Sequence, residues 1–147
     1  KGQSPSSTLE TGEYVRSLVY SPNGSFLASV VDFTAVKIWR ASDGSLEKAI
    51  RGHNIICASF SPNGKVVASG EPDGSVRLWS IYGRDANVLV VSPYVHRHEV
   101  EEEADDDDDD DFIVCSIFSV AFTHNGQNVA SGGDDDTIFL WDTRRFL

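Results

Sequence analysis

Methionine is absent from this sequence, even at position 1. The chain is therefore expected to be an excerpt or a processed product. No apolar run approaches the roughly 18–20 residues that a membrane-spanning helix needs, and the polar N-terminus lacks the apolar stretch of a secretory signal. These two absences point to an intracellular protein of cytoplasm or nucleus. Cys57 and Cys115 are the only cysteines. Both sit among apolar residues, Cys57 in Ile55–Ala58 and Cys115 after Ile113-Val114. They are expected as buried free thiols in strands rather than as a disulfide or a nucleophile. The sequence has no glycine-rich phosphate loop, no Cys-x-x-Cys pair and no paired carboxylates at a catalytic spacing. No cofactor is implied.

Basic residues are also scarce: 12 Lys and Arg face 23 Asp and Glu, a net charge of −11. The imbalance has one source. Eleven acids lie in one run: Glu99, Glu101, Glu102, Glu103, Asp105, Asp106, Asp107, Asp108, Asp109, Asp110 and Asp111. The 12 acids outside it match the 12 bases. Without a basic face, nucleic acid is not an expected partner.

What is abundant is repetition. Ser21-Pro22-Asn23-Gly24 is followed by Ala28-Ser29 and Val36-Lys37-Ile38-Trp39. Ser61-Pro62-Asn63-Gly64, Ala68-Ser69 and Val76-Arg77-Leu78-Trp79 come next, with Trp39 and Trp79 40 residues apart. The third copy is Thr123-His124-Asn125-Gly126, Ala130-Ser131 and Ile138-Phe139-Leu140-Trp141. A period near 40 residues closed by Trp marks a radially repeated β-architecture. Each unit reads as an antiparallel meander. The first contains strands over 15–20, 26–31, 36–39 and 45–50, with a type I turn at Ser21–Gly24. The second has strands over 55–60, 66–70, 76–80 and 87–91. The third has strands over 119–122, 128–132 and 138–142 and stops before its fourth. Thr8-Leu9-Glu10 is phased as an outer strand that precedes the first unit.

On these residues the sequence resembles the WD-repeat β-propeller family. Gly52-His53, Ser69, Asp73 and Trp79 match the family pattern in the second unit. The resemblance implies that His53, Ser69, Asp73 and Trp79 form a hydrogen-bonded tetrad. The first unit keeps Ser29 and Trp39 but has Gly12-Glu13 in place of Gly-His, and Phe33 on the slot of the Asp, with Asp32 one position early. The third keeps Ser131, Asp135 and Trp141 but no His near residue 113. Blades 1 and 3 are therefore expected to be less well tied than blade 2.

The expected fold is all-β: β-propeller blades of four-stranded antiparallel meanders, about three blades' worth. The segments are an N-terminal stretch 1–13, blade 1 over 14–53, blade 2 over 54–91, an acidic insert loop 92–111, and blade 3 over 112–147. Propellers close with about four to eight blades. The remaining blades must come from a longer parent chain or from a second copy that exchanges its first strand.

Trp79 to Trp141 spans 62 residues, an excess of 22 that falls in the acidic insert. Turns in a meander alternate ends, so the insert shares an end with Glu71, Asp73, Asp134, Asp135 and Asp136. Glu71, Asp134–Asp136 and the acidic run are the candidate partner-binding residues. A like-charge block of this kind is a solvated loop or an interaction tail. A divalent-ion site is a third option, although the run lacks the Asp-x-Asp-x-Asp-Gly spacing of a calcium loop. His96-Arg97-His98 lacks a placed third metal ligand, so no metal is assigned. His53, Ser69 and Asp73 have the residue types of a hydrolase triad, but Ser69 lies in a strand without a strained elbow.

The function expected is a non-catalytic protein–protein interaction scaffold, with basic peptides as possible partners, and no nucleic acid or membrane contact. The alternatives are a propeller-based, hydrolase-like enzyme and a structural or regulatory segment of a larger multidomain protein.

Overall fold

The computed structural model describes residues 8–52, 54–82, 88–90, 97–99 and 112–146. These residues contain no helix and thirteen strands. Blade 1 is β1 (Val15–Tyr20), β2 (Phe26–Val31), β3 (Ala35–Arg40) and β4 (Leu46–Arg51). Blade 2 is β5 (Cys57–Phe60), β6 (Val66–Gly70), β7 (Val76–Ser80) and β8 (Val88–Val90). A short pair, β9 (Arg97–Glu99) and β10 (Phe112–Val114), comes next. Blade 3 is β11 (Ile117–Phe122), β12 (Asn128–Gly133) and β13 (Ile138–Asp142). Each blade is an antiparallel sheet in sequence order, with four, four and three strands.

The first hairpin of each blade is set by turn chemistry. In blade 1 the Gly24 amide donates to Ser21 O at 2.8 Å, and Gly24 takes a φ of 69°. The Ser21 hydroxyl donates to Asn23 Oδ1 at 2.8 Å and accepts from the Phe26 amide at 2.9 Å. Asn23 Oδ1 also accepts from the Ser25 amide. Ser61 and Asn63 repeat these contacts in blade 2, and Thr123 and Asn125 in blade 3. A short polar side chain thus mimics a backbone turn three times over.

The core lies between blades. Ala28, Val30, Val36, Ile38 and Ile50 of blade 1 pack against Ile55, Phe60, Val67, Trp79 and Ile81 of blade 2. Ala68, Val76 and Leu78 of blade 2 pack in the same way against Ile117, Val120 and Val129 of blade 3. Backbone bonds seal both junctions at one end. The Ile55 amide donates to Phe33 O at 2.7 Å, and the Ile117 amide to Glu71 O at 3.1 Å.

Three sequence expectations differ from the structure. Thr8–Glu10 form no strand. Their ladder partner would be the third strand of another blade, and here the segment lies along blade 1, where Leu9 meets Gly44 and Thr11 O accepts from Lys37 Nζ. Cys115 is not in a strand but in the two-residue break between β10 and β11. Phe112–Val114, assigned above to blade 3, instead pairs with Arg97–Glu99 in the insert.

Candidate functional site

The closing Trp of each unit is two residues beyond the cross-strand partner of its Ser. Ser29 pairs with Lys37, Ser69 with Arg77, and Ser131 with Phe139. Antiparallel geometry therefore sets the indole diagonally over the hydroxyl, on the same sheet face. Trp39 Nε1 donates to Ser29 Oγ at 2.9 Å, Trp79 Nε1 to Ser69 Oγ at 2.8 Å, and Trp141 Nε1 to Ser131 Oγ at 2.8 Å. All three Ser are buried.

The remaining members of the expected tetrad are placed differently. His53 lies outside the described residues. The Asp73 carboxylate accepts from the Ser75 amide at 3.0 Å and the Ser75 hydroxyl at 2.5 Å, with Arg77 Nη2 at 3.3 Å. Asp73 thus organises the β6–β7 turn. Asp135 does the same in blade 3, where it accepts from the Thr137 amide at 3.3 Å. No hydrogen bond joins Ser69 to Asp73 among the described residues. Ser69 is buried and accepts the Trp79 N–H, so its oxygen is not presented to a substrate.

Glu71, expected as a partner-facing acid, is inside the protein at 1% exposure. Its backbone carbonyl accepts from the Ile117 amide of the next blade at 3.1 Å. Arg77 Nη1 contacts Glu71 Oε2 at 3.0 Å. Glu71 Oε1 and Arg77 Nε are buried without a hydrogen-bond partner, so the contact is single-point rather than a fork. Burial pushes the Glu71 carboxyl from 4.5 up to about 7; the Arg77 charge opposes this and the Asp73 charge adds to it. A cation and an anion six positions apart were visible in the sequence, but only the folded turn brings them together.

Blade 1 is tied by other means. The tight β2–β3 connection places Asp32 and Phe33 at φ of 45° and 57°, and the Thr34 amide donates to Val31 O at 3.0 Å. This is a type I′ turn built without glycine. Asp32 Oδ1 accepts from the Tyr14 amide at 3.0 Å. Glu13, on the slot of the missing His, forms an ion pair with Lys37. Lys37 also lies over the Trp39 ring, 5.9 Å from its centroid. The loss of the family residues in blade 1 is therefore accompanied by a different set of contacts.

Among the expected partner-facing acids, Asp134 and Asp136 are exposed and Asp135 is buried. They share an end of the blades with Cys115–Ile117, which leads from β10 into β11. The β9–β10 register sets Glu99 opposite Phe112, His98 opposite Ile113 and Arg97 opposite Val114. The two strands bracket residues 100–111 as a hairpin would. Glu101, Glu102, Glu103 and Asp105–Asp111 lie outside the described residues, as does His96. No group of three or more His, Cys, Asp or Glu that could hold a metal ion is found among the described residues.

Known proteins share this arrangement. The pattern of the family described as WD domain, G-beta repeat matches residues 3–40, 41–80 and 108–142. Periodic tryptophan protein 2 of Arabidopsis thaliana is 27% identical over 139 residues, which is 92% of this chain and 13% of that protein. Human WD repeat and SOCS box-containing protein 1 is 36% identical over 67 residues, 46% of this chain and 16% of its own length. Anaphase-promoting complex subunit cdc20 of Dictyostelium discoideum is 24% identical over 130 residues, 88% of this chain and 22% of its own length. The chain thus spans less than a quarter of each of these relatives. A chain in the crystal structure of a mitotic checkpoint complex superposes with a TM-score of 0.67 at 20% identity, over 91% of this chain and 37% of that one. Three successive pattern matches, falling on three sheets each closed by a Trp bonded to a buried Ser, establish that this chain belongs to the WD-repeat family.

Proposed function

We propose that this chain is a non-catalytic interaction module whose insert-bearing end captures Lys- and Arg-rich protein segments. The observation that carries this reading is the β9–β10 ladder. It draws together the two ends of the acidic run beside the end of the blades where Asp134 and Asp136 are exposed. A mobile basic chain would be attracted first by the dense run and then held at the folded surface. Two related proteins, a subunit of the anaphase-promoting complex and a component of a mitotic checkpoint complex, work within multi-protein assemblies, which supports a scaffold role. The small share of each relative that this chain spans also supports a role as one segment of a larger protein.

Exposed charges are screened over a Debye length of about 8 Å at physiological salt. The acidic run therefore acts on association rate more than on the lifetime of the complex. The test is stopped-flow capture of a fluorescent Lys/Arg-rich peptide by the chain and by a variant with the eleven acids replaced by Ser and Gly. The variant should associate more slowly at low salt and at nearly the same rate at high salt, with an unchanged circular dichroism spectrum. Equal rates at every ionic strength would reduce the run to a solubilising loop.

A further inference from the structure

Asparagine precedes glycine three times in this chain, at Asn23-Gly24, Asn63-Gly64 and Asn125-Gly126. The pair is chemically labile. With no Cβ on the following residue, the Gly backbone nitrogen can approach the Asn side-chain carbonyl carbon and attack it. All three pairs sit in the turn of a blade's first hairpin, and each Asn is exposed to solvent. The attacking group is already committed. Gly24 N donates to Ser21 O at 2.8 Å, Gly64 N to Ser61 O at 2.8 Å and Gly126 N to Thr123 O at 2.9 Å. The side chain under attack is held as well. Oδ1 of each Asn accepts from the hydroxyl two residues before it and from the amide two residues after it. A type I turn also fixes ψ of its third residue near about 0°, and ring closure needs that bond rotated. Blade 3 has one more restraint. Thr143 Oγ1 donates to Gly126 O at 2.6 Å, and Thr143 is 0% exposed. The amide bonds from Ala41 to Ser25 O, from Ile81 to Lys65 O and from Thr143 to Gln127 O identify Ala41 and Ile81 as its counterparts. Neither has a hydroxyl.

We propose that Asn23, Asn63 and Asn125 are deamidation sites that the native turns hold closed, and that Thr143 makes Asn125 the slowest of the three. In the opened turn the Gly nitrogen bonds to Asn Cγ. The Cγ–Nδ2 bond breaks, and the side-chain nitrogen leaves as ammonia with the proton of the Gly amide. Water then adds to one carbonyl of the cyclic imide and breaks its bond to nitrogen. Cleavage at Cγ gives Asp, and cleavage at the backbone carbonyl gives isoaspartate. The steps consume water, release ammonia and change no oxidation state. The turn accepts the two products differently. Asp keeps the Oδ1 acceptor, and the chain already uses Asp in this way: Asp43 Oδ1 accepts from the Ser45 amide at 2.9 Å and from the Ser45 hydroxyl at 2.7 Å. Isoaspartate routes the main chain through Cγ, which lengthens the turn and removes its side-chain acceptor. Deamidation thus follows local opening of the turn and leaves a lasting record of it.

The test holds the 147-residue chain at mildly alkaline pH, either folded or unfolded in urea. Peptide mapping by mass spectrometry follows the amide-to-acid mass gain at each Asn, and enzymatic isoaspartyl methylation reports the second product. In urea the three sites should react at similar rates. In the folded chain each should react at least about tenfold more slowly, as a site that opens only transiently does, with Asn125 the slowest. Thr143→Val removes the hydroxyl and should speed Asn125 alone, by about 2- to 10-fold, the net worth of one hydrogen bond. Where Thr143→Val does not fold, Ala41→Thr adds the hydroxyl to blade 1 and should slow Asn23 relative to Asn63. Native rates that match the rates in urea would overturn the gating by the turns. Equal native rates at the three sites, a Thr143→Val effect shared by all three, or no slowing in Ala41→Thr would overturn the role of Thr143.

Discussion

Glu71 should make the stability of this protein fall as pH rises through the weakly acidic range. Its carboxyl is buried beside Arg77 with a folded pKa of about 7, against 4.5 for the free group. Below the free value, the group is protonated in both states and contributes nothing to the balance. Between the two values the unfolded chain releases a proton that the folded chain retains. Proton binding is then greater in the folded state, and stability declines with rising pH. Above about 7 the group is ionised in both states and the loss is complete. At 1.36 kcal/mol per pKa unit, the full loss is about 3 kcal/mol. Arg77 Nη1 at 3.0 Å keeps it from being larger. The assay is urea unfolding followed by Trp fluorescence at several pH values and constant ionic strength, on the parent chain and on Glu71→Gln. The variant removes the titration but keeps the shape, so the stability difference between the two should shift steadily in favour of Glu71→Gln from pH 5 to pH 7. A difference that is flat with pH would refute the burial of the Glu71 carboxyl beside Arg77.

Trp79→Phe leaves the buried Ser69 hydroxyl without the N–H it receives and should cost about 1–3 kcal/mol in urea melts. Trp141→Phe should cost less, because Trp141 is half-buried at the uncovered end; equal losses would mean that burial does not set the worth of this link. The Cys57 thiol, pushed by burial to about 11, should react with a thiol reagent at neutral pH only as fast as the protein unfolds. Rapid labelling of the native chain at Cys57, read by mass spectrometry, would place that thiol at the surface.

The repeat was readable because local chemistry and tertiary demand coincide. Ser-x-Asn-Gly fixes each first hairpin, apolar alternation assigns the strands, and Ser and Trp recur at a constant interval of ten residues. Observed strand limits accordingly lie within about two residues of those expected, as strand ends usually do. Features decided by contacts between distant segments were not readable. Arg97-His98-Glu99 has neither alternation nor β-branched residues, and it becomes a strand through pairing with Phe112–Val114. Phe112–Val114 in turn resembles the start of the next inner strand, which places the boundary of blade 3 too early. Glu71 lies in a Pro- and Gly-containing turn and reads as a surface acid. Its burial is decided by the folded turn, where Arg77 reaches its carboxylate and Ile117, 46 residues away along the chain, bonds its carbonyl. The Lys37–Glu13 pair in blade 1 is not legible in the sequence, where Glu13 stands on the slot of a His and 24 residues separate it from Lys37.

In a repeated fold, individuality accumulates where the repeats disagree, and one strand position shows this best. The residue opposite the repeated Ser is Lys37 in blade 1, Arg77 in blade 2 and Phe139 in blade 3. Lys37 pairs with Glu13, and Arg77 contacts Glu71 while also reaching Asp73. In both cases a cation from the third strand is used up by acids at its own end of the blade. Phe139 carries no charge and instead stacks on Trp141, with ring centroids 5.3 Å apart. Blade 3 therefore places three consecutive acids in its β12–β13 turn without a cation at this position. Asp134 and Asp136 face solvent there, next to the segment that brings in the acidic insert. Two blades set a cation against their acids, and the third leaves Asp134 and Asp136 exposed. The proposed capture of a basic partner draws on that asymmetry, with Phe139 standing where blades 1 and 2 have Lys37 and Arg77. Phe139→Arg should therefore weaken capture of a Lys/Arg-rich peptide even with the insert intact. An undiminished association rate in that variant would assign the attraction to the insert alone.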